Sequence, residues 1–250
     1  MNAKERTRAL PRASSTAARK RDRSSSTWVW RWAGVLAALL PSGPALAQDA
    51  ERAAMDALNV VLPRAAEERL ALSAMPAHLR EEATVYLYGE RGFELTRSGT
   101  NGFSCLVNRD AFFYGARQFK PTCWDAEGAT TYLPVMLKVG EMLAAGASGA
   151  AIRAAVSAGF NSGTFRAPRV GGVAFMLAGD IDVDRTGEIV GRSFPGHYMF
   201  YAVGATSQQL GFNREAAQAD RTLPSVFAGG AGSAQGLAYI IAVPGESHQH

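Results

Sequence analysis

The residues of this 250-residue chain that could do chemistry gather around its two cysteines. Asn101, Ser104, Arg109, Asp110, Asp125 and Glu127 flank Cys105 and Cys123 and form the densest polar group in the chain. Carboxylates beside a hydroxyl and a guanidinium can bind a polar ligand or move a proton. The same residue types also build turns and solvated surface. Two histidines could join them: His197, which follows Pro195-Gly196, and His78, which follows Pro76-Ala77. Histidine titrates near neutral pH, so either could act as a base beside Asp110, Asp125 or Ser104, or simply sit satisfied at the end of an element. Strand alternation would put His197, Met199 and Tyr201 on one face and Tyr198 and Phe200 on the other. The candidate catalytic residues are therefore His197, His78, Asp110 and Asp125. The candidate binding residues are Asn101, Arg109, Tyr198 and Phe200.

The familiar signatures fail on inspection. Asp180-x-Asp182-x-Asp184 opens like a calcium loop, but Arg185 stands where glycine is needed and Gly191 where a bidentate glutamate is needed. A solvated hairpin is the alternative reading. No His-x-x-x-His spacing supports zinc. The nearest approach to a serine elbow is Gly232-Ser233-Ala234-Gln235-Gly236, which lacks the Gly-x-Ser-x-Gly spacing and reads as a loop, and the same run lacks the Lys-Ser/Thr of a phosphate loop. No pattern calls for a cofactor or a metal.

The N-terminus is more specific. Lys4, Arg6, Arg8, Arg12, Arg19, Lys20, Arg21, Arg23 and Arg31 stand against only Glu5 and Asp22. An apolar stretch from Trp32 to Leu40 follows, then Pro41 and Pro44, then Ala45-Leu46-Ala47. A basic region, a short apolar core and an A-x-A end are the three parts of a secretory signal. The core is about half of the roughly 20 apolar residues that span a bilayer, which disfavours an anchor. Residues 1–47 are thus expected to engage the export machinery, with cleavage between Ala47 and Gln48 and delivery to the periplasm or outside the cell. The leader carries nine of the 26 basic residues and two of the 22 acidic ones. A mature chain would hold seventeen basic and twenty acidic residues, so the isoelectric point near 9.3 belongs to the precursor. No basic run survives cleavage to support nucleic-acid binding, and no later stretch is apolar enough for a membrane anchor.

Export also bears on the cysteines. In an oxidising compartment a lone pair usually forms one disulfide, here closing a loop worth about 3 kcal/mol. Cys105–Cys123 is the expected bridge; unpaired buried cysteines and a nucleophilic thiol beside a histidine are the other readings.

These residues need elements to position them. Ala53, Met55, Leu58 and Val61 predict one helix and Leu70 and Leu72 a second, within 50–73, with Glu67-Glu68 on the wet side. Thr84–Tyr88 and Phe93–Thr96 read as a hairpin, and Phe103–Val107 as a third strand of an antiparallel meander. Residues 108–128 read as a long loop broken by Pro121 and Gly128. Tyr132–Leu143 and Ile152–Phe160 predict a helical hairpin, with Ser148 capping its second arm. Val173–Leu177, His197–Tyr201 and Ala238–Val243 are further strands, Ile181–Asp184 and Glu188–Val190 hairpin arms, and 204–236 weakly structured. The sum is one α+β domain, 48–250, disordered from about 245. It holds a mostly antiparallel five- or six-stranded sheet, a helical hairpin on one face and N-terminal helices.

The segments Thr100–Asp110, Pro121–Gly128 and His197–Tyr201 make the chain resemble a family of secreted bacterial proteins to which no activity is attached. The likeness covers most of residues 70–243. It implies an exported domain and carries over no site residue. Two functions stay in play. One is a non-catalytic module that binds a small ligand or a partner, favoured by the missing catalytic motifs and the aromatic strand around Tyr198 and Phe200. The other is a small exported hydrolase using His197 or His78 with a nearby Asp or Ser. The sequence names no particular partner.

Overall fold

Two helices form at the N-terminal end as predicted in number, but the first starts before residue 50 and stops at Leu58, leaving Val61 of the predicted stripe exposed beyond it. The first, α1 (Pro44–Leu58), buries Ala54, Met55 and Leu58; the second, α2 (Arg64–Ser73), follows Pro63 and buries Ala66, Leu70 and Ala71. Both belong to a computed structural model that describes residues 44–220, 223, 225–227 and 236–244. Residues 1–43 of the expected leader, the run 232–236 apart from Gly236, and the tail from 245 lie outside the described residues. The described residues fall within one compact unit, Pro41–His250.

The strands are β1 (Thr84–Gly89), β2 (Gly92–Arg97), β3 (Ser104–Asn108), β4 (Lys120–Trp124), β5 (Val173–Met176), β6 (Asp180–Val183), β7 (Ile189–Phe194), β8 (His197–Tyr201), β9 (Ser225–Phe227) and β10 (Tyr239–Ala242). Eight of them make one sheet in the order β2-β1-β3-β4-β5-β8-β10-β9, and β6 and β7 make a separate ribbon. The protein is α+β, but the expected mostly antiparallel sheet of five or six strands is corrected to a mixed sheet of eight.

The first correction lies in the predicted meander. Strand β3 pairs with β1, not β2, and runs parallel to it. After β2 the chain crosses the start of β1, where Thr100 N–H bonds Glu82 O at 2.8 Å and Gly99 N–H bonds Thr84 Oγ1 at 2.9 Å. A Cβ on Gly99 would collide with the Glu82 carbonyl oxygen, so only glycine lets the two backbones pass. A strand that starts at the same end as β1 must run parallel to it.

The second correction is the loop 108–128. It contains a 3₁₀ turn, Asp110–Tyr114, and the whole of β4. Pro121 signals a break, yet it sits in β4 opposite Val107 of β3. It is tolerated because β5 pairs only with Cys123 and Trp124, so the side of Pro121 away from β3 carries no ladder bond. The third concerns 204–236, where a short helix, α5 (Arg214–Ala219), and β9 stand in a stretch read as weakly structured.

The expected helical pair forms as α3 (Ala126–Ala144) and α4 (Gly149–Asn161). Ser148 caps α4 as predicted, its side chain accepting from Ala151 N–H at 3.2 Å. Strand alternation separates two faces of the sheet. Cys105 and Cys123 are directly opposed on β3 and β4 and share the face under α2, where Cys123 Sγ lies 3.5 Å from Ala71 O. They form the expected disulfide, and both are wholly buried. Their alternating neighbours Leu106, Thr122 and Trp124 point to the other face, which α3 covers with Tyr132 and Met136. Replacing both cysteines by alanine should lower the unfolding free energy by about 3 kcal/mol. Chemical denaturation will check this; a loss below about 1 kcal/mol would show that the bridge constrains little.

Candidate functional site

Most of the polar residues singled out by type and spacing have structural partners. Asp125 is the N-cap of α3. Its Oδ1 accepts from Gly128 N–H at 2.9 Å and from Tyr201 OH at 2.6 Å, and its Oδ2 accepts from Val173 N–H at 2.8 Å. Asn101 donates to Leu79 O at 2.7 Å and accepts from Phe103 N–H at 3.0 Å, holding the crossing before β3. Glu127 accepts from Arg169 N–H at 2.8 Å. Ser104 lies in β3 opposite Trp124.

Arg109 is wholly buried and forms a two-pronged ion pair with Glu67, each prong 2.8 Å long. Its remaining donors reach Leu58 O at 3.1 Å, Val107 O at 2.8 Å and Val60 O at 3.2 Å. Its guanidinium lies 4.1 Å from the Tyr88 ring centroid. Every arm of the fork is engaged within the core, so Arg109 is placed to tie elements together. Glu67, read as solvent-facing, is 1% exposed.

The histidines part company. His78 is exposed on the 3₁₀ turn Ala77–Leu79. His197 is buried, with Nδ1 donating to Pro195 O at 2.9 Å and the ring edge-on to Phe194. Neither is bonded to a carboxylate or a hydroxyl among the described residues. Burial holds the His197 imidazole below its ordinary titration range, and the positive charge of Lys120 adds to this, so the neutral ring is favoured.

Among the candidates, Asp110 lines a cavity. Its Oδ1 lies 3.3 Å from Lys120 Nζ, and both side chains are largely buried. Strand register explains the meeting. The cross-strand disulfide aligns β3 with β4 so that Asn108 faces Lys120, and Asp110 follows two residues on. On the other side, Phe119 and Ile181 exchange backbone hydrogen bonds of 2.8 and 2.9 Å. Lys120 and Asp180 are the chain neighbours of that bridged pair. The Lys120 ammonium is paired with Asp110, and its charge is felt at Asp180. It also lies 4.5 Å from the Tyr114 ring centroid.

The cavity behind this group measures about 60 Å³. Its polar end is formed by Asn108, Asp110, Lys120 and Thr122. Its inner wall is formed by Trp124, Tyr132, Tyr239, Met136, Met176 and Met199. Trp124 Nε1–H donates to Tyr239 OH at 3.0 Å and Tyr132 OH donates to Ala238 O at 2.9 Å, so the ring heteroatoms of the wall are satisfied. Tyr114, near the mouth, packs against Phe227 at 5.5 Å. The Asp180 carboxyl titrates above its ordinary range. Burial is the main cause; Lys120 opposes it and Asp110 reinforces it. Burial likewise raises the Tyr114 and Tyr239 phenols. Strong perturbation beside a cavity marks a functional-site candidate.

The other carboxylates of the calcium-like run do separate work. Asp182 accepts from Gln118 at 2.9 Å, and Asp184 closes the turn into β7 by accepting from Thr186 and Glu188 N–H. Tyr198 and Phe200 lie on the face opposite His197, where Phe175, Tyr198 and Phe200 form a row and Phe200 is 44% exposed. A larger groove of about 560 Å³ runs between α3 and α4 past Phe93 and Phe165. Its rim charges are paired, Lys138 with Glu141 and Arg91 with Glu94, and no polar group converges within it.

Lys120, placed in a loop, was missed by sequence reasoning, and Asp180 was weighed only within the calcium-like run. A usable signal existed. Residues equally spaced about two cross-strand cysteines must face one another, which pairs Asn108 with Lys120. Comparison with family models, with curated proteins and with solved structures gives no match. No helix among the described residues is long and apolar enough to cross a membrane.

Two outcomes follow from this geometry. Glu67→Gln or Arg109→Met, which leave half of a buried pair, should each cost about 3–5 kcal/mol in denaturant titrations. His197 binds its proton less tightly folded than unfolded, so it stabilises the fold above its ordinary pKa of 6.5 and withdraws that stability as pH falls. His197→Gln should flatten the decline in melting temperature below pH 6.5, and an unchanged slope would refute this.

Proposed function

We propose that this chain is exported through residues 1–47, is cut between Ala47 and Gln48, and acts in the periplasm or outside the cell as a non-catalytic binding module. The leader pattern supports export, and the buried Cys105–Cys123 bridge agrees with an oxidising compartment. The resemblance to secreted bacterial proteins points the same way. The observation that carries the binding reading is the cavity bounded by Asp110 and Lys120, with its aromatic and methionine wall. It combines an apolar chamber with a few convergent polar groups, which is how small-ligand sites are built. Two water molecules' share of liquid volume would fill it, so it suits the end group of a ligand rather than a whole metabolite.

Hydrolysis has less behind it. It needs a base held against a nucleophile or a water-activating carboxylate. His197 bonds a backbone carbonyl, Thr122 Oγ1 donates to Lys120 O at 2.8 Å, and Asp125 is committed to its cap. Export is tested by expressing the full chain in a bacterium and reading the N-terminus of the released protein. Gln48 is expected, and an intact leader would defeat the reading. Binding is tested by thermal melting against small amines, alcohols and carboxylates. One class should stabilise the protein, and Met136→Phe, which narrows the chamber, should abolish that shift. No shift with any class would remove the binding reading.

A further inference from the structure

The donors and acceptors at the cavity's polar end say which end group it takes. Asn108 and Asp110 are each 8% exposed and line that end together with Lys120. Asn108 Oδ1 accepts from Asp110 N–H at 3.1 Å, which leaves the two protons on its Nδ2 without an acceptor among the described residues. Asp110 Oδ1 takes one proton of the Lys120 ammonium at 3.3 Å, and its Oδ2 accepts from none of the described residues. That single bond is longer than the usual length of about 2.7–2.9 Å, so neither partner is saturated by the other. Register gathers the three groups, since Asn108 faces Lys120 across β3 and β4. Thr122 gives its proton to Lys120 O. The polar end therefore offers two donors, the Asn108 amide and the Lys120 ammonium, and one acceptor, the Asp110 carboxylate. Its charges are matched, one of each sign.

We propose that the cavity seats a neutral hydroxyl group on a short alkyl stem. The hydroxyl donates to Asp110 and accepts from Asn108 Nδ2 and Lys120 Nζ, and the stem lies among Met136, Met176 and Met199. This rests on the binding reading and names the ligand class for the same site. A hydroxyl carries one donor and two acceptor lone pairs, the complement of what the polar end offers. An ammonium brings donors and no acceptor, so it would meet Lys120 as a like charge and leave the Asn108 amide unused. A carboxylate only accepts, and it would meet Asp110 as a like charge. Either ion would also leave a net charge in a largely buried site where the Asp110–Lys120 pair is already balanced, which costs more than seating a neutral group. A water molecule can satisfy the same three groups, but it leaves the thioether and ring wall without the contacts that an alkyl stem makes. The ligand is the hydroxyalkyl end of a larger molecule, because about 60 Å³ holds only a few heavy atoms.

Titration of the full exported protein with propanol, propylamine and propionate at one ionic strength, followed by NMR chemical shifts, tests this. Propanol is expected to bind about tenfold more tightly than either ion. Contacts from the propanol chain, read as nuclear Overhauser effects, should reach the methyl groups of Met136, Met176 or Met199. Two isosteric substitutions should turn the preference in opposite directions, while melting curves confirm that the variants are folded. Asn108→Asp keeps an oxygen for Asp110 N–H but replaces the amide donor with a second carboxylate. Propanol should weaken about tenfold and propylamine become the tightest of the three. Asp110→Asn leaves the Lys120 charge unmatched, so propionate should become the tightest. Equal or tighter binding of propylamine or propionate by the unaltered protein overturns the hydroxyl class and leaves the binding reading standing. Propanol binding without contacts to those methionines overturns the seat. A preference for propanol that neither substitution moves overturns the roles of Asn108 and Asp110. Failure of all three probes overturns the binding reading along with this one.

Discussion

The buried Arg109–Glu67 pair is the interaction on which the rest of the structure depends. An isolated charge in a protein interior is expensive, so each of these residues obliges the chain to bring it partners. Arg109 meets that demand with groups from almost every early element. It takes carbonyls from the end of α1 and the segment after it, both oxygens of Glu67 on α2, and the Val107 carbonyl of β3. It lies against the Tyr88 ring of β1 and the rings of Phe93 and Phe119. Glu67 in turn accepts from Tyr88 N–H. If either charge moved out of place, the other would be stranded. The pair fixes where two helices meet the first strands, and burial leaves it no role toward a ligand.

The disulfide works at the next level. It stands on the α2 face of the sheet and the cavity on the α3 face, so the two do not touch through side chains. They are coupled through register. A bridge between directly opposed residues leaves no freedom for β3 and β4 to slip, and a slip of one residue would turn Lys120 to the wrong face. The backbone exchange between Phe119 and Ile181 then brings Asp180 within reach of the Lys120 charge. The polar group at the cavity thus rests on a pairing that belongs to the backbone, which is a firmer support than a surface loop would provide.

Local elements were legible in the sequence, and contacts between distant segments were not. The two N-terminal helices, the first hairpin, the α3–α4 pair with its Ser148 cap and the strand at His197 follow from periodicity and capping chemistry, which act over a few residues. The alternation of His197, Met199 and Tyr201 against Tyr198 and Phe200 holds in the fold as well. β4 escaped because Pro121 reads as a breaker, and only the short reach of β5 makes it acceptable there. The parallel placement of β3 escaped because it depends on the crossing at Gly99. Glu67 looked like a solvent-facing residue because its cation lies 42 positions further on.

By itself, the sequence determined the leader pattern, the charge balance on either side of it, the α+β class and the pairing of its only two cysteines. Each depends on composition, local order or the count of a residue type. The tertiary structure decided which polar residues are satisfied by which partners. Asp125, Asn101 and Arg109 looked as available as Asp110 until their partners were in place, and Lys120 did not look like a site residue at all. The physical reason is that a polar side chain's role is set by what satisfies it. Those partners come from strands and helices far away in the chain, in a register that only folding establishes.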